Sequence, residues 1–325
     1  MPPPQKPPSE RVSPRLLRWQ PNMVAVLTAV GPAGLAAVYF YGWRALAVVA
    51  VTNAFAFATE YAFTRRRGEP VTSAAFVTGT LLALSLPPAV PFWMCAVGAV
   101  VAIGFGKELF GGMGRNVYNP ALVGRAFLYV SFPVAITGTW TEPFWGGVGG
   151  LTAWAPSADA VTSATLLPIL AKGAPIGLSA LFWGAMPGSL GETCKAAVLL
   201  GGAYLLWRRV AAWEIVASML GSFAVLTGAL RAAGLAGPDP LRAVLAGGIL
   251  YGAVFMATDP VSANRTRAGK VLYGCVIGTA AVLIREFGNF PEGAMFAILL
   301  GNTFGPIIEE ALSAWKARRA GGQPA

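Results

Sequence analysis

Long apolar stretches, separated by short polar or Pro/Gly-containing breaks, run through this chain from about residue 22 to residue 313. They fall near 22–42, 45–64, 72–88, 91–108, 117–134, 190–207, 213–231, 241–258, 271–288 and 293–313. Each approaches the ~20 residues that a helix needs to cross a ~30 Å hydrocarbon core. The pattern predicts an all-α polytopic membrane protein of about ten transmembrane helices, in two five-helix blocks at 22–134 and 190–313. Residues 1–21, Pro-rich with Lys6, Arg11 and Arg15, read as a disordered tail, and 314–325 as a basic one. The first apolar run is long enough to span and lacks a convincing cleavage site, so no cleavable signal peptide is expected. Between the blocks lies a long loop, 135–189. Its stretch from Pro168 to Gly191 is apolar but cut by Pro175, Pro187 and Gly188, and predicts an interfacial piece with Phe182 and Trp183 at headgroup depth.

Composition agrees with this pattern: 55% of residues are hydrophobic and only 12% charged, more apolar surface than a soluble core requires. A net charge of +10 would suit nucleic acid, but its distribution says otherwise. With the N-terminus inside, 17 of the 24 Lys and Arg residues fall in inner segments, Arg65–Arg67, Arg208, Arg209, Arg265 and Arg267 among them. That asymmetry satisfies the positive-inside rule. It predicts cytoplasmic termini and an outward-facing 135–189 loop. The absence of histidine removes His-ligated haem, His-ligated zinc and Ser-His-Asp chemistry. Cys95, Cys194 and Cys275 lie in apolar segments without Cys-x-x-Cys spacing and read as packing residues. Any electron handling by this chain then calls for an organic cofactor.

Gly79 to Pro87 and Gly252 to Pro260 share a glycine and a proline eight residues apart around an apolar stretch. A further span and a basic-acidic pair follow each, Lys107-Glu108 in the first block and Arg285-Glu286 in the second. With an odd number of spans per block, the two blocks cross the membrane in opposite senses, as an inverted repeat. Such folds place their sites where interrupted helices meet near the midplane, and irregular backbone at that depth must be buried or line a cavity. The interruptions fall at Pro87-Pro88, Asn119-Pro120 and Asp259-Pro260. Plain helix capping by Asn119 and Asp259 would explain the last two equally well.

Among the carboxylates, Glu108 can pair with Lys107, Glu286 with Arg285, and Glu192 with Lys195 on one helix face. Asp259 has no basic residue within a turn on its N-terminal side and precedes a proline, which makes it the first ion-path candidate and Glu108 the second. Gly111, Gly112 and Gly114 could admit a flat ring to the backbone beside Arg115, or form a turn.

Four runs carry a family resemblance. Asp159-Ala160-Val161-Thr162-Ser163-Ala164-Thr165 resembles the Asp-x-x-(Ser/Thr)-Gly-Ala-Thr site at which a flavin transferase joins FMN, through its phosphate, to the last threonine. Ser163 stands where that pattern has glycine. The stretch from Gly106 to Phe127, with Met256-Ala257-Thr258-Asp259-Pro260-Val261-Ser262 and Phe290-Pro291-Glu292-Gly293, is similar to the B subunit of the Na⁺-translocating NADH:quinone oxidoreductase (Nqr) and the D subunit of the Rnf complex. The wording at Asp259–Ser262, Arg125 and Phe290–Gly293 leans to the Nqr form. The resemblance implies a fold similar to urea channels in a bacterial inner membrane. It implies FMN on Thr165, with Asp159, Thr162, Ser163 and Ala164 framing the attachment, and a non-covalent riboflavin nearer the cytoplasm. Candidates for the second flavin or a quinone are Gly111, Gly112, Asn119, Pro120 and Arg125. Implied partners are a second FMN-bearing subunit, quinone and a flavin transferase. The competing expectation is a channel or transporter for a small neutral solute on the same scaffold.

Overall fold

The computed structural model describes residues 16–138, 140–156, 176–235, 238–288 and 293–319. Among the described residues, six helical segments are long and apolar enough to cross a bilayer: Pro21–Tyr41 (α1), Arg44–Arg67 (α2), Phe92–Phe110, Trp213–Ala232 (α9), Arg267–Phe287 (α12) and Gly293–Arg319 (α13). The third comprises Phe92–Gly104 (α4) and a 3₁₀ turn, Glu108–Phe110. The shorter helices are Ala74–Leu84 (α3), Pro120–Ser131 (α5), Pro133–Thr137 (α6), Leu178–Trp183 (α7), Lys195–Trp207 (α8), Pro240–Leu245 (α10) and Ile249–Tyr251 (α11).

Sequence chemistry accounts for several ends. Arg65, Arg66 and Arg67 occupy the last turn of α2, where cations complement the helix dipole, and Gly68 takes the left-handed turn beyond it at φ 69°. Asn119 caps α5, accepting from the amides of Ala121 and Leu122, with Pro120 at the first helical position. Thr266 does the same for α12 through the amide of Gly269.

Helix packing follows one pattern on either side of the central loop. α2 packs on α3 and α4, and α4 on α5; α9 packs on α12, and α12 on α13. α1 lies against α8, and α13 also touches α5. Small residues allow the close approaches. A Cβ on Gly124 of α5 would stand 2.5 Å from the Gly98 carbonyl oxygen of α4, so the two backbones pass without intervening side chains, as packing between apolar helices favours.

Four of the expected spans are shorter or broken. The 72–88 span is helical only through α3, which rises about 16 Å at 1.5 Å per residue; residues 85–91 continue in non-helical backbone. The 241–258 span is cut into α10, α11 and a π-helical turn, Gly252–Met256, with non-helical backbone from Thr258 to Arg265. Both helical pieces end just before the prolines of the repeated motif, Pro87 and Pro260, which cannot donate the amide that a continuing helix requires. The 190–207 span starts as a helix only at Lys195, and the 117–134 span only at Pro120.

The termini also differ from expectation. Leu17–Arg18 (β1) pairs in parallel with Val71–Thr72 (β2), and the Gln20 amide donates to Ser73 Oγ at 3.0 Å. Part of the expected N-terminal tail is thus a strand fixed at the start of α3. At the other end α13 continues to Arg319, into the stretch expected to be tail. Within the central loop, α7 provides the short apolar element expected there, with Trp183 exposed.

Candidate functional site

The loops 105–118, 208–212 and 259–266 meet at one end of the molecule around a cavity of about 50 Å³. Its walls are apolar, from Met23 and Val26 of α1, Val77 and Leu81 of α3, Leu205 of α8, Phe255 of the π turn, Met113 and Val210. Polar atoms enter from Thr78, Asn116, Asn119, Thr258, Asp259 and Lys107. Among the described lining residues, Lys107 is the only cation and Asp259 the only acid. Apolar walls with a few convergent polar groups are the composition of small-molecule sites, while the enclosed space has room for a few waters and not for a flavin-sized ring.

Asn119 joins the cavity to a buried amide network. Its backbone amide donates to Asn302 Oδ1 at 3.1 Å, and its side-chain amide donates to the Met256 carbonyl at 3.1 Å. Asn302, fully buried on α13, donates in turn to Tyr273 Oη at 2.7 Å and to the Ser262 carbonyl at 3.3 Å. Pro306, four residues on, supplies no amide to the Asn302 carbonyl, so the helix is also locally released there. The π turn, α5, α12 and α13 are therefore tied together beside the cavity. Asp259 accepts from Ser262 Oγ at 2.9 Å and from the Val261 amide at 3.4 Å. It shapes the 259–262 turn, and no helix begins after it; the expected capping role is thus corrected.

Behind Lys107 lies a buried ion cluster. The Lys107 ammonium is 2.5 Å from Glu60 Oε2, 2.9 Å from Thr72 Oγ1 and 3.9 Å from Glu108 Oε1. Glu60 Oε1 accepts from the Thr72 amide and hydroxyl, fixing the carboxylate at the foot of α3. Glu108 pairs with Arg67, which also meets Glu69 at 3.1 Å. Gly112 backs onto this pair: at φ 92°, a Cβ there would lie 3.1 Å from the Arg67 guanidinium.

A second buried pair lies toward the opposite end. Arg125 Nη1 meets Glu192 Oε1 at 2.9 Å, with both side chains nearly inaccessible. Lys195 sends its ammonium to the carbonyls of Glu192 and Gly247. Glu192 precedes the first turn of α8, so the pairing with Lys195 along one helix face does not form. The Arg285 guanidinium reaches the Ala243 carbonyl at 3.0 Å and lies over the Phe223 ring.

Residues 16–316, almost all of the chain, match the model of the NQR2, RnfD, RnfE family. The chain belongs to this family. It is 38% identical to the D subunit of the proton-translocating ferredoxin:NAD⁺ oxidoreductase complex of Clostridium ljungdahlii, over 89% of this chain and 88% of that protein. It is 36% identical to the D subunit of an ion-translocating oxidoreductase complex of Halorhodospira halophila, over 88% of each. With the B subunit of the Na⁺-translocating NADH-quinone reductase of Pseudomonas aeruginosa it shares 41% identity, over 77% of this chain and 62% of that protein. Identity is slightly higher with the Nqr protein, whereas the alignment with the Rnf proteins covers more of both chains.

In this family member the structure separates the residues that the sequence grouped. Asn119, Pro120 and Asp259 line the cavity. Gly111 and Gly112 form a left-handed turn beside Arg115 and Arg67, outside the cavity lining. Arg125 belongs to the Glu192 pair and does not line the cavity. Glu108 lies behind Lys107, in the ion cluster. Asp159, Thr162, Ser163, Ala164 and Thr165 fall outside the described residues, as does Phe290-Pro291-Glu292. Glu60, Thr72 and Asn302 were missed. A carboxylate in the Ala58-Thr59-Glu60-Tyr61-Ala62 stretch of an apolar helix is a visible sign of function. An isolated Asn302 carries no comparable mark.

Proposed function

We propose that this chain is the flavin-bearing membrane subunit of an ion-translocating oxidoreductase of the Rnf or Nqr type. Membership of the NQR2, RnfD, RnfE family across residues 16–316 is the observation that carries this reading. The ten apolar segments form a 5+5 inverted repeat akin to urea channels, in a bacterial inner membrane with both termini cytoplasmic. The matching packing of α2, α4 and α5 and of α9, α12 and α13 supports the repeat, as do the paired breaks after Leu84 and Met256.

FMN is attached to Thr165 on the outer loop by a flavin transferase, and family resemblance adds a second, non-covalent riboflavin, for which Asn119 and Pro120 are candidate contacts. Flavins bound in this way supply one-electron transfer between a partner subunit's FMN and quinone, or an NAD-linked acceptor. Within this chain, apolar walls from α1, α3 and α8 surround the cleft beside Asn119. Asn116 and Asn119 line its polar side, with Asn119 already committed to the α5 cap and to Met256, and Pro120 and Phe255 bound it. Asp259 and the Glu108 cluster stand on the cation route. Moving one cation outward against roughly 150 mV costs about 3.5 kcal/mol, so each electron step must fall by a similar voltage.

Mass spectrometry of the peptide containing Thr165 tests the covalent assignment. The wild-type peptide, made with a flavin transferase present, carries an FMN-sized addition. Thr165→Val, which keeps the shape and lacks the hydroxyl, carries none, and Thr162 and Ser163 do not substitute. An FMN addition surviving on the variant refutes the assignment. An unmodified wild-type chain points instead to the solute-channel alternative.

A further inference from the structure

Four aromatic rings form a continuous ladder along the flank of α2 and α3. Trp19 stacks on Phe76 with ring centroids 6.2 Å apart and planes 15° from parallel. Phe76 stacks on Phe57 at 5.9 Å and 21°, and Phe57 on Tyr61 at 6.2 Å and 5°. Phe57, Tyr61 and Arg65 follow one another at four-residue steps, so they share one face of α2. The Arg65 guanidinium lies 5.9 Å from the Tyr61 ring centre and ends the ladder with a positive charge. Leu16, Trp19 and Tyr61 are exposed, and Phe57 and Phe76 half-buried.

The charged end of this ladder stands at headgroup level. α2 has 24 residues and rises about 36 Å, more than a ~30 Å hydrocarbon core, so its last turn emerges at the membrane surface. That turn carries Arg65, Arg66 and Arg67. Arg67 is engaged by Glu69 and Glu108. Among the described residues, Arg65 and Arg66 pair with no carboxylate. An apolar shelf with two unpaired guanidinium groups at one end is complementary to an amphiphile with an anionic head. A partner's apolar helix laid on the rings would desolvate those groups without matching their charge, which is costly. A phosphodiester matches it, because arginine donates paired hydrogen bonds to phosphate oxygens.

We propose that this ladder binds an anionic phospholipid, with the phosphate at Arg65 and Arg66 and an acyl chain along Tyr61 and Phe57, flanked by Phe76 and Trp19. The site uses no residue of the flavin attachment or the cation route, and needs only that α2 span the membrane. An ordinary aromatic belt anchors a protein through scattered Trp and Tyr side chains at both interfaces. Here the stacked wall leads to two free cations, so the site discriminates between headgroups.

Trp19 is the reporter. The chain is reconstituted in phosphatidylcholine vesicles containing either phosphatidylglycerol or phosphatidylcholine brominated on its acyl chains, a quencher of nearby tryptophan. Subtracting the signal of Trp19→Phe, which keeps an aromatic ring, isolates Trp19 among the ten tryptophans. In the wild type, phosphatidylglycerol should associate at Trp19 on the order of thirtyfold more tightly than phosphatidylcholine, from ~1 kcal/mol per interfacial arginine. Arg65→Gln combined with Arg66→Gln should bring the ratio below about threefold, and the corresponding lysine pair should keep most of it. Both arginines are exposed, so the variants fold. Equal quenching by the two lipids in the wild type, or an unchanged ratio in the glutamine pair, overturns the proposal. Loss of the preference in excess inorganic phosphate assigns the arginines to a free anion and overturns it as well. A Trp19 that neither lipid quenches is covered by protein, with the same result.

Discussion

Arg125→Met should destabilise this protein without disturbing the cavity beside Asn119. The guanidinium meets Glu192 at 2.9 Å, with the two side chains only 6% and 4% exposed. At an effective dielectric constant of about 20, charges at that separation attract by about 6 kcal/mol. Removing one partner leaves the other buried and bare, a change that costs about 3–5 kcal/mol in measured cases. Taking the lower figure and about 2–4 °C per kcal/mol, the variant should unfold on the order of 6–12 °C below wild type. Arg125→Met combined with Glu192→Gln removes the stranded charge and should recover more than half of the loss. Lys195 keeps its contacts in the double variant, because they go to the backbone carbonyls of Glu192 and Gly247. Thermal unfolding of the detergent-solubilised complex, followed with flavin absorbance on the same samples, reads both quantities. If Arg125→Met unfolds at the wild-type temperature and loses its non-covalent flavin, the ion-pair argument fails and the guanidinium belongs to a cofactor site.

Two further outcomes test the cation route and the topology. Asp259→Asn keeps the acceptor for the Val261 amide and removes the charge, so under the proposed function the complex should keep its flavin on Thr165 and need more Na⁺ for half-stimulation of quinone reduction. An unchanged Na⁺ dependence would reduce Asp259 to a former of the 259–262 turn. Cysteines placed near Ala158 should react with an impermeant reagent added outside, and cysteines near Thr266 should not. The reverse labelling would invert the charge-derived topology.

Much of the fold was legible because it rests on period and punctuation. The ends of α1, α2 and α9 lie within three residues of the expected spans, since charged or Gly/Pro breaks delimit them. The broken segments were visible as prolines, but where the helix stops was not: α3 ends at Leu84, three residues before Pro87, and α11 gives way to a π turn. Such details depend on what the freed backbone groups meet. In the site, Asn119 and Asp259 stood out because polar residues beside proline in an apolar chain are rare choices. The Arg125–Glu192 pair joins residues 67 apart in sequence, and a buried arginine carries no sequence mark of which carboxylate it meets. Glu60 and Lys107 lie 47 residues apart and meet only when α2 and α4 pack together. No local pattern encodes that meeting.

The amide of Asn302 has a mechanical consequence. Its oxygen holds the first residue of the α5 cap, and its nitrogen holds both α12 and the 259–262 turn. Small displacements of α13 strain all three bonds at once, and a larger one releases them together. At about 1 kcal/mol net each, the joint holds with about 3 kcal/mol, roughly a hundredfold preference for the closed arrangement. A linkage of this kind yields at a threshold and does not creep. Motion between the two halves of the protein should therefore occur as a discrete step with a definable waiting time, visible as two resolved states in single-molecule distance records.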